Sequence, residues 1–221
     1  MPKAQRTTND RAAAPPRRGQ GNGTRLERSA ARREAILAAA LDEFSVQGFA
    51  ATRLDDVARR AGVAKGTIYL HFRDKEALFQ ELVRSVLGPF VGTLEHVLAS
   101  EVPARVIFGQ MVEMFVREVY GTRRKDVIRL IVTEGTRFPW LAEFYYREVL
   151  SRILGAVRAL LQRAIERGEI SPSVARFPQL LGAPAIVAIL WNSLFERFEP
   201  LDVAAFMHAQ LDLLFGAEKD S

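Results

Sequence analysis

Cysteine is absent from all 221 residues, which excludes disulfides, thiolate metal sites and redox thiols. That lack fits a reducing compartment, and a cytoplasmic location is the expectation. Histidine is scarce: His71, His96 and His208 stand far apart, with no carboxylates at metal-ligand spacing, so no metal site is expected. Glu95-His96 reads as a solvated helix edge. Neither a phosphate-cradling glycine loop nor a nucleophile elbow occurs. The expectation is a protein that is not an enzyme and takes no cofactor. Also missing is any uninterrupted apolar run of membrane length, and no apolar stretch follows the basic start as in a secretory signal. Strand alternation and internal repeats are absent too.

What is present is enough apolar material for a core. At 48% hydrophobic residues, disorder of the whole chain is excluded, and one or two domains are expected. The net charge is +5, but its distribution matters more than its total. Residues 1–33 hold nine Lys/Arg against Asp10 and Glu27, leaving 22 basic and 24 acidic residues for the rest. Basicity belongs to the start of the chain, not to the body. From Met1 to about Thr24 the chain is rich in Arg, Pro, Gly, Ala and Asn without apolar periodicity, and a disordered basic tail is expected over residues 1–29. Two readings of it stay open: an arginine arm that tracks phosphates or enters an A·T-rich minor groove, or a merely solvated tail or over-extended start.

The remainder reads as helix. Arg32 to Gln47 puts Ile36, Leu37, Ala40, Leu41 and Phe44 on one face, with Gly48 as the stop and Phe49 folding back. Thr52 to Lys75 then reads as two short helices around a glycine turn. Thr52 is placed to cap the first, whose inward positions are Leu54, Val57, Ala58 and Ala61. Gly62 stops it, and the second helix, about Lys65 to Phe72, buries Ile68 and Phe72. Its other face carries Lys65, Gly66, Thr67, Tyr69 and His71. Helix, sharp turn, short polar-faced helix is the pattern of a DNA reader. Asp74 reads as the cap of a fourth helix through Leu78, Phe79, Leu82, Val86 and Leu87, with Gly88-Pro89 as a place to bend.

The run Gly62-Val63-Ala64-Lys65-Gly66-Thr67-Ile68-Tyr69-Leu70-His71-Phe72-Arg73-Asp74-Lys75-Glu76-Ala77-Leu78-Phe79 resembles the DNA-binding domain of the TetR family of transcriptional regulators. The match extends without a gap from about Arg33 to Val86; beyond it only length and helical character agree. The resemblance implies an all-α protein: a three-helix DNA-binding domain (residues 30–90, with the helix-turn-helix at 53–72) joined by a connecting helix to a larger effector-binding and dimerisation domain (residues 91–221). It also implies DNA contact at Thr52, Thr67, Tyr69, His71 and Lys75. Chemistry supports several of these. Gly66 lets the backbone come close, Thr67 offers a hydroxyl and a methyl, and Tyr69 can brace a phosphate. Lys65 and His71 can reach base edges or phosphates, and Thr52 and Lys75 sit at helix starts that favour an anion. An ordinary solvated helix face is the bland alternative for any one of them.

From Pro103 the pattern stays helical, including one long helix from Phe138-Pro139 to about Arg167, closed by Gly168. Leu180 to Phe195 is apolar nearly all round, so it must be buried on more than one side. Phe108, Met111, Met114 and Phe115, with Trp140, Phe144, Tyr145 and Trp191, either line an apolar effector cavity, as the resemblance implies, or fill the core. Reading an operator takes two heads on a palindromic duplex, hence a two-fold homodimer. The expected interface is Leu180, Val187, Leu190 and Leu194 with Phe206, Leu211 and Leu214. The partners implied are double-stranded palindromic DNA, a second copy and a small effector, with no membrane. The output implied is repression released by the effector. A protein partner in place of the effector, activation, nonspecific architectural binding and a helical enzyme are the alternatives.

Overall fold

The computed structural model describes residues 21–216, with side chains from residue 25 onward. Its helices are α1 (Gly21–Ala51), α2 (Leu54–Arg60), α3 (Lys65–His71), α4 (Lys75–Leu98), α5 (Ala104–Met114), α6 (Arg124–Glu134), α7 (Pro139–Tyr145), α8 (Ser151–Glu166), α9 (Pro172–Ala175), α10 (Gln179–Phe195) and α11 (Val203–Phe215). Two π-helical segments, Phe115–Tyr120 and Tyr146–Leu150, continue α5 and join α7 to α8. Among the described residues there is no strand, and no helix is long and apolar enough to cross a membrane. The fold class is all-α, as expected.

α1 starts well before Arg32. Residues 1–20 of the expected tail lie outside the described residues, but 21–29 are helical. Leu26, Glu27, Arg28 and the alanines that follow are strong helix formers, and a helix already nucleated beyond Arg33 extends outward cheaply. Residues 25–32 are all exposed, so apolar periodicity carries no signal for them. At its other end the helix breaks at Gly48, whose φ of 75° and ψ of 170° are in practice open only to glycine. Phe49 then folds back into the core, its ring centroid 5.5 Å from that of Phe44 and 5.6 Å from that of Phe79.

Two hydrophobic clusters organise the chain. The first joins α1, α2, α3 and the start of α4 to α6 and α7, through Val127, Leu130, Leu141 and Phe144. The second holds the end of α4, α5, α8, α10 and α11. α4 passes from one to the other between Val91 and Leu94. The core of the reading head is therefore not confined to residues 30–90 but is continuous with helices of the body. α4 runs through Pro89 without a break. The long helix expected from Phe138 is present as α7, a π segment and α8 in succession, with Pro139 in its first turn and Gly168 at φ 70° behind it.

Candidate nucleic-acid interface

The turn between α2 and α3 follows from Gly62. At φ 66° it lets its own N–H donate to Arg59 O at 3.2 Å and the Val63 N–H to Ala58 O at 3.0 Å, closing α2 on its last carbonyls. α2 is tied to α1 by Glu43, 6% exposed, which accepts from Arg60 Nε at 2.5 Å and Gln47 Nε2 at 2.5 Å. α3 is held by Ile68 and Phe72, both buried among Phe44, Phe79 and Leu82. α4 is capped as expected, Asp74 Oδ1 accepting from the Ala77 N–H at 2.7 Å.

With those anchors in place, α3 turns Lys65, Gly66 and Tyr69 to solvent, with Thr67 and His71 half-buried beside them. Lys65 Nζ donates to Asp55 Oδ2 at 2.8 Å. That hydrogen bond, then the charge of Asp55, raises its pKa; an exposed pair of this kind exchanges readily for a phosphate. Open space surrounds Gly66. The structure adds Leu70, 84% exposed, an apolar group suited to a thymine methyl. Its register between Ile68 and Phe72 was the available signal, since it falls on the outward side of both.

Thr52 and Lys75 are placed differently from the expectation. Thr52 is 2% exposed and does not cap α2: the N-cap is Arg53, without a side-chain bond. The Thr52 hydroxyl instead donates to Gly48 O at 2.7 Å. Lys75 Nζ donates to the carbonyls of Phe49, Ala50 and Thr52 at 2.7, 3.0 and 3.0 Å, which engages all three ammonium protons, and it lies 4.6 Å above the Phe49 ring. Burial lowers its pKa, partly offset by Glu134. The reason is the end of α1, whose last carbonyls have no helical partner. Both side chains close that corner, and of the two only Lys75 stands in the first turn of a helix, where its backbone N–H can meet an anion.

The eight aromatic and methionine residues expected around a cavity do not share one place. Phe108, Met111, Met114 and Phe115 pack in the second cluster, the Phe108 ring tilted against that of Phe215 with centroids 5.6 Å apart. Trp140, Phe144 and Tyr145 pack in the first. Trp140 meets Phe49 at 5.3 Å and Phe79 at 6.0 Å, at the junction of head and body, and burial pushes the Tyr145 phenol up to about 12. Trp191 lies apart, donating from Nε1 to Glu199 O at 2.8 Å and packing on Phe195. None of the eight lines the surface cleft between residues 44–48 and 129–134 or the one beside residues 96–100 and Gln110.

The expected interface residues also divide. On α10, Leu180, Val187 and Leu194 are exposed and Leu190 is half-buried. On α11, Phe206 and Leu214 are half-buried, but Leu211 is 8% exposed and belongs to the protomer's own core. Leu213, 87% exposed, presents the outward side of that helix. An all-apolar helix gives no periodic sign of which side faces home, so the sequence could not separate the two.

A short helix, turned outward by two buried residues and bordered by a glycine turn, on an all-helical body, defines a helix-turn-helix DNA-binding regulator. Residues 36–82 match the family described as bacterial regulatory proteins, tetR family, and residues 108–212 match the tetracyclin repressor-like C-terminal domain. The chain belongs to the TetR family. Among its relatives, the HTH-type transcriptional regulator RutR of Escherichia coli (strain K12) is 27% identical over 164 residues, 68% of this chain and 69% of that protein. The crystal structure of FadR from Bacillus subtilis in complex with stearoyl-CoA shares the fold at a TM-score of 0.68, with 22% identity over 84% of this chain and 99% of that one. The SmeT–triclosan complex does so at 0.69, with 21% identity over 84% and 92%.

Proposed function

We propose that the chain is a cytoplasmic repressor that acts as a two-fold dimer on a palindromic operator and leaves it when a small apolar or aromatic effector binds the body. The observation that carries the DNA half is α3, anchored by buried Ile68 and by Phe72 at its C-cap while exposing Lys65, Gly66, Tyr69 and Leu70. Direct contact is assigned to Lys65, Gly66, Thr67, Tyr69 and His71. Lys75 contributes through its backbone N–H at the start of α4, whereas Thr52, ahead of the Arg53 N-cap, acts by closing the corner that seats α2. A head this small reads only a few bases, so two heads about one duplex turn apart, or a multiple of it, are needed.

The exposure of Val187 and Leu194 on α10 and of Leu213 on α11 supports a partner seated on these helices. The reading head is assigned to residues 30–90 and the dimerising body to 91–221. FadR with stearoyl-CoA and SmeT with triclosan are proteins of this fold holding apolar ligands, which supports that ligand class here. The candidate lining narrows to Phe108, Met111, Met114 and Phe115, which share one core. Because effector and DNA prefer different arrangements of the dimer, each weakens the other by the same factor. The role is regulation, with no catalytic step.

Genome-wide recovery of bound DNA fragments tests this reading. It should return a palindrome, bound by a dimer and released by an apolar compound such as a long-chain acyl-CoA. Fragments without a common sequence, or a monomer that binds the palindrome at full affinity, would overturn it. Release by no member of a broad apolar library would favour a protein partner as the signal.

A further inference from the structure

The first turns of α1 leave the folded head and carry charge sorted by sign. At 100° per residue, Arg25, Arg28 and Arg32 fall within one third of the helix circumference, while Glu27 and Glu34 project from the opposite side. All five are exposed. Among the described residues, none of the three arginines pairs with an acid. Several other arginines near the head are engaged, Arg33 with Glu81, Arg60 with Glu43 and Arg73 with Asp74, while Arg53 at the start of α2 stands alone rather than in a cluster. Three neighbouring guanidinium groups with no acidic partner among the described residues repel one another, so the face is one that an anionic partner would stabilise.

Its position indicates which anion. Arg33 fastens α1 to the end of the reading helix, its guanidinium 5.8 Å from the ring centroid of Phe72, directly after α3. Residues 25–32 thus run outward from the C-terminal end of α3. In helix-turn-helix docking the reading helix lies in the major groove while the first helix crosses the backbone, and in the homeodomain variant the C-terminal end of the reading helix also contacts the backbone. At ~1.5 Å per residue, Arg25 to Arg32 covers about 10 Å, roughly the rise of three phosphates along one strand at ~3.4 Å each. We propose that the exposed arginine face of α1, formed by Arg25, Arg28 and Arg32, is a second DNA-binding surface that clamps the phosphates flanking the operator. This rests on the assignment of α3 as the reading helix. The clamp adds affinity and salt dependence but no sequence preference, because phosphates carry none.

The test uses the full chain with Arg25, Arg28 and Arg32 all changed to Ala, and again all to Lys. Alanine keeps helix propensity high, and lysine keeps the charge. Affinity is measured against salt on a minimal operator duplex and on one extended by ten base pairs at each end. On the extended duplex, the alanine variant should lose about 0.9 per phosphate contact from the log–log salt slope, roughly five for two heads, and at least ten-fold in affinity near 0.1 M salt. Its ratio of operator to scrambled DNA should stay unchanged, and the lysine variant should recover most of the slope. On the minimal duplex wild type and variants should converge. Equal wild-type slopes on short and extended duplexes, or an unchanged slope in the alanine variant, would overturn the clamp while leaving the reading helix intact. Arginine-dependent binding to phosphatidylglycerol vesicles with no DNA effect would also overturn it, in favour of a membrane. Loss of operator preference by the wild type itself would instead remove the proposed function.

Discussion

The Nε–H of Arg124, at the start of α6, donates to the backbone carbonyl of Val86 in α4 at 2.9 Å, while its Nη1 donates to the Glu118 carbonyl at 2.7 Å. One guanidinium therefore joins α6, the π segment after α5, and α4 three residues before Pro89. A fork can hold two carbonyls in a fixed geometry; an ammonium on a flexible stem cannot. Arg124→Lys should cost about 1–2 kcal/mol, read as a Tm lower by roughly 2–8 °C. It should also alter operator affinity, because α4 carries the head. An unchanged melting curve would mean that the bond contributes nothing.

Tyr69 and Thr67 should report DNA contact without reporting fold. Tyr69 is 50% exposed, and truncating an exposed side chain usually changes stability by less than about 0.5 kcal/mol. Tyr69→Ala is expected to weaken operator binding at least ten-fold, or about 1.4 kcal/mol. The double change with Thr67→Ala should weaken it further, with melting unaltered. Retained affinity in the double variant would remove α3 from the interface. Lys75→Met should behave oppositely, lowering Tm first, because three carbonyls lose their donor.

Leu194 and Leu213 test the interface, and Leu211 is the contrast. Leu194→Asp and Leu213→Asp place a charge on exposed helix faces and should give folded monomers by sedimentation, with operator affinity lost. Leu211→Asp buries a charge in the protomer's own core and should unfold it, at a cost of several kcal/mol. A dimer that survives both exposed changes would place the partner elsewhere.

Asp74 links stability to pH. The Ala77 N–H, and then Arg73, hold its carboxyl below the ordinary value of 3.8. A native pKa below the unfolded one means the stabilisation is complete above about pH 5 and disappears as pH falls from 3.8 through the lowered native value. Asp74→Asn keeps an acceptor and should remove that pH dependence while retaining most of the cap. Asp74→Ala should cost about 1 kcal/mol at neutral pH. Equal acid-unfolding profiles for wild type and Asp74→Asn would show that this carboxylate is not the sensitive group.

What the sequence determined by itself was everything set by near neighbours. Ile68 and Phe72 one turn apart, Gly62 at the end of α2 and Asp74 three residues before Ala77 specify the reading head through short-range geometry. The all-helical body follows in the same way from periodicity. Tertiary structure decided what depends on distant segments. Thr52 and Lys75 face the broken end of α1, 25 residues from Lys75 at Ala50, so a local reading assigned them to helix starts at the DNA surface. Trp140 joined the Phe49 and Phe79 rings at the junction of head and body, whereas Trp191 packed on Phe195 and bonded to Glu199. Leu211 faced inward and Leu213 outward because the packing of α11 on α5 set the rotation of a helix that is apolar on several sides. Arg25, Arg28 and Arg32, read in sequence as part of a tail, became one face only once the helix was seen to extend to them: charge is a property of residues, but its direction belongs to the fold.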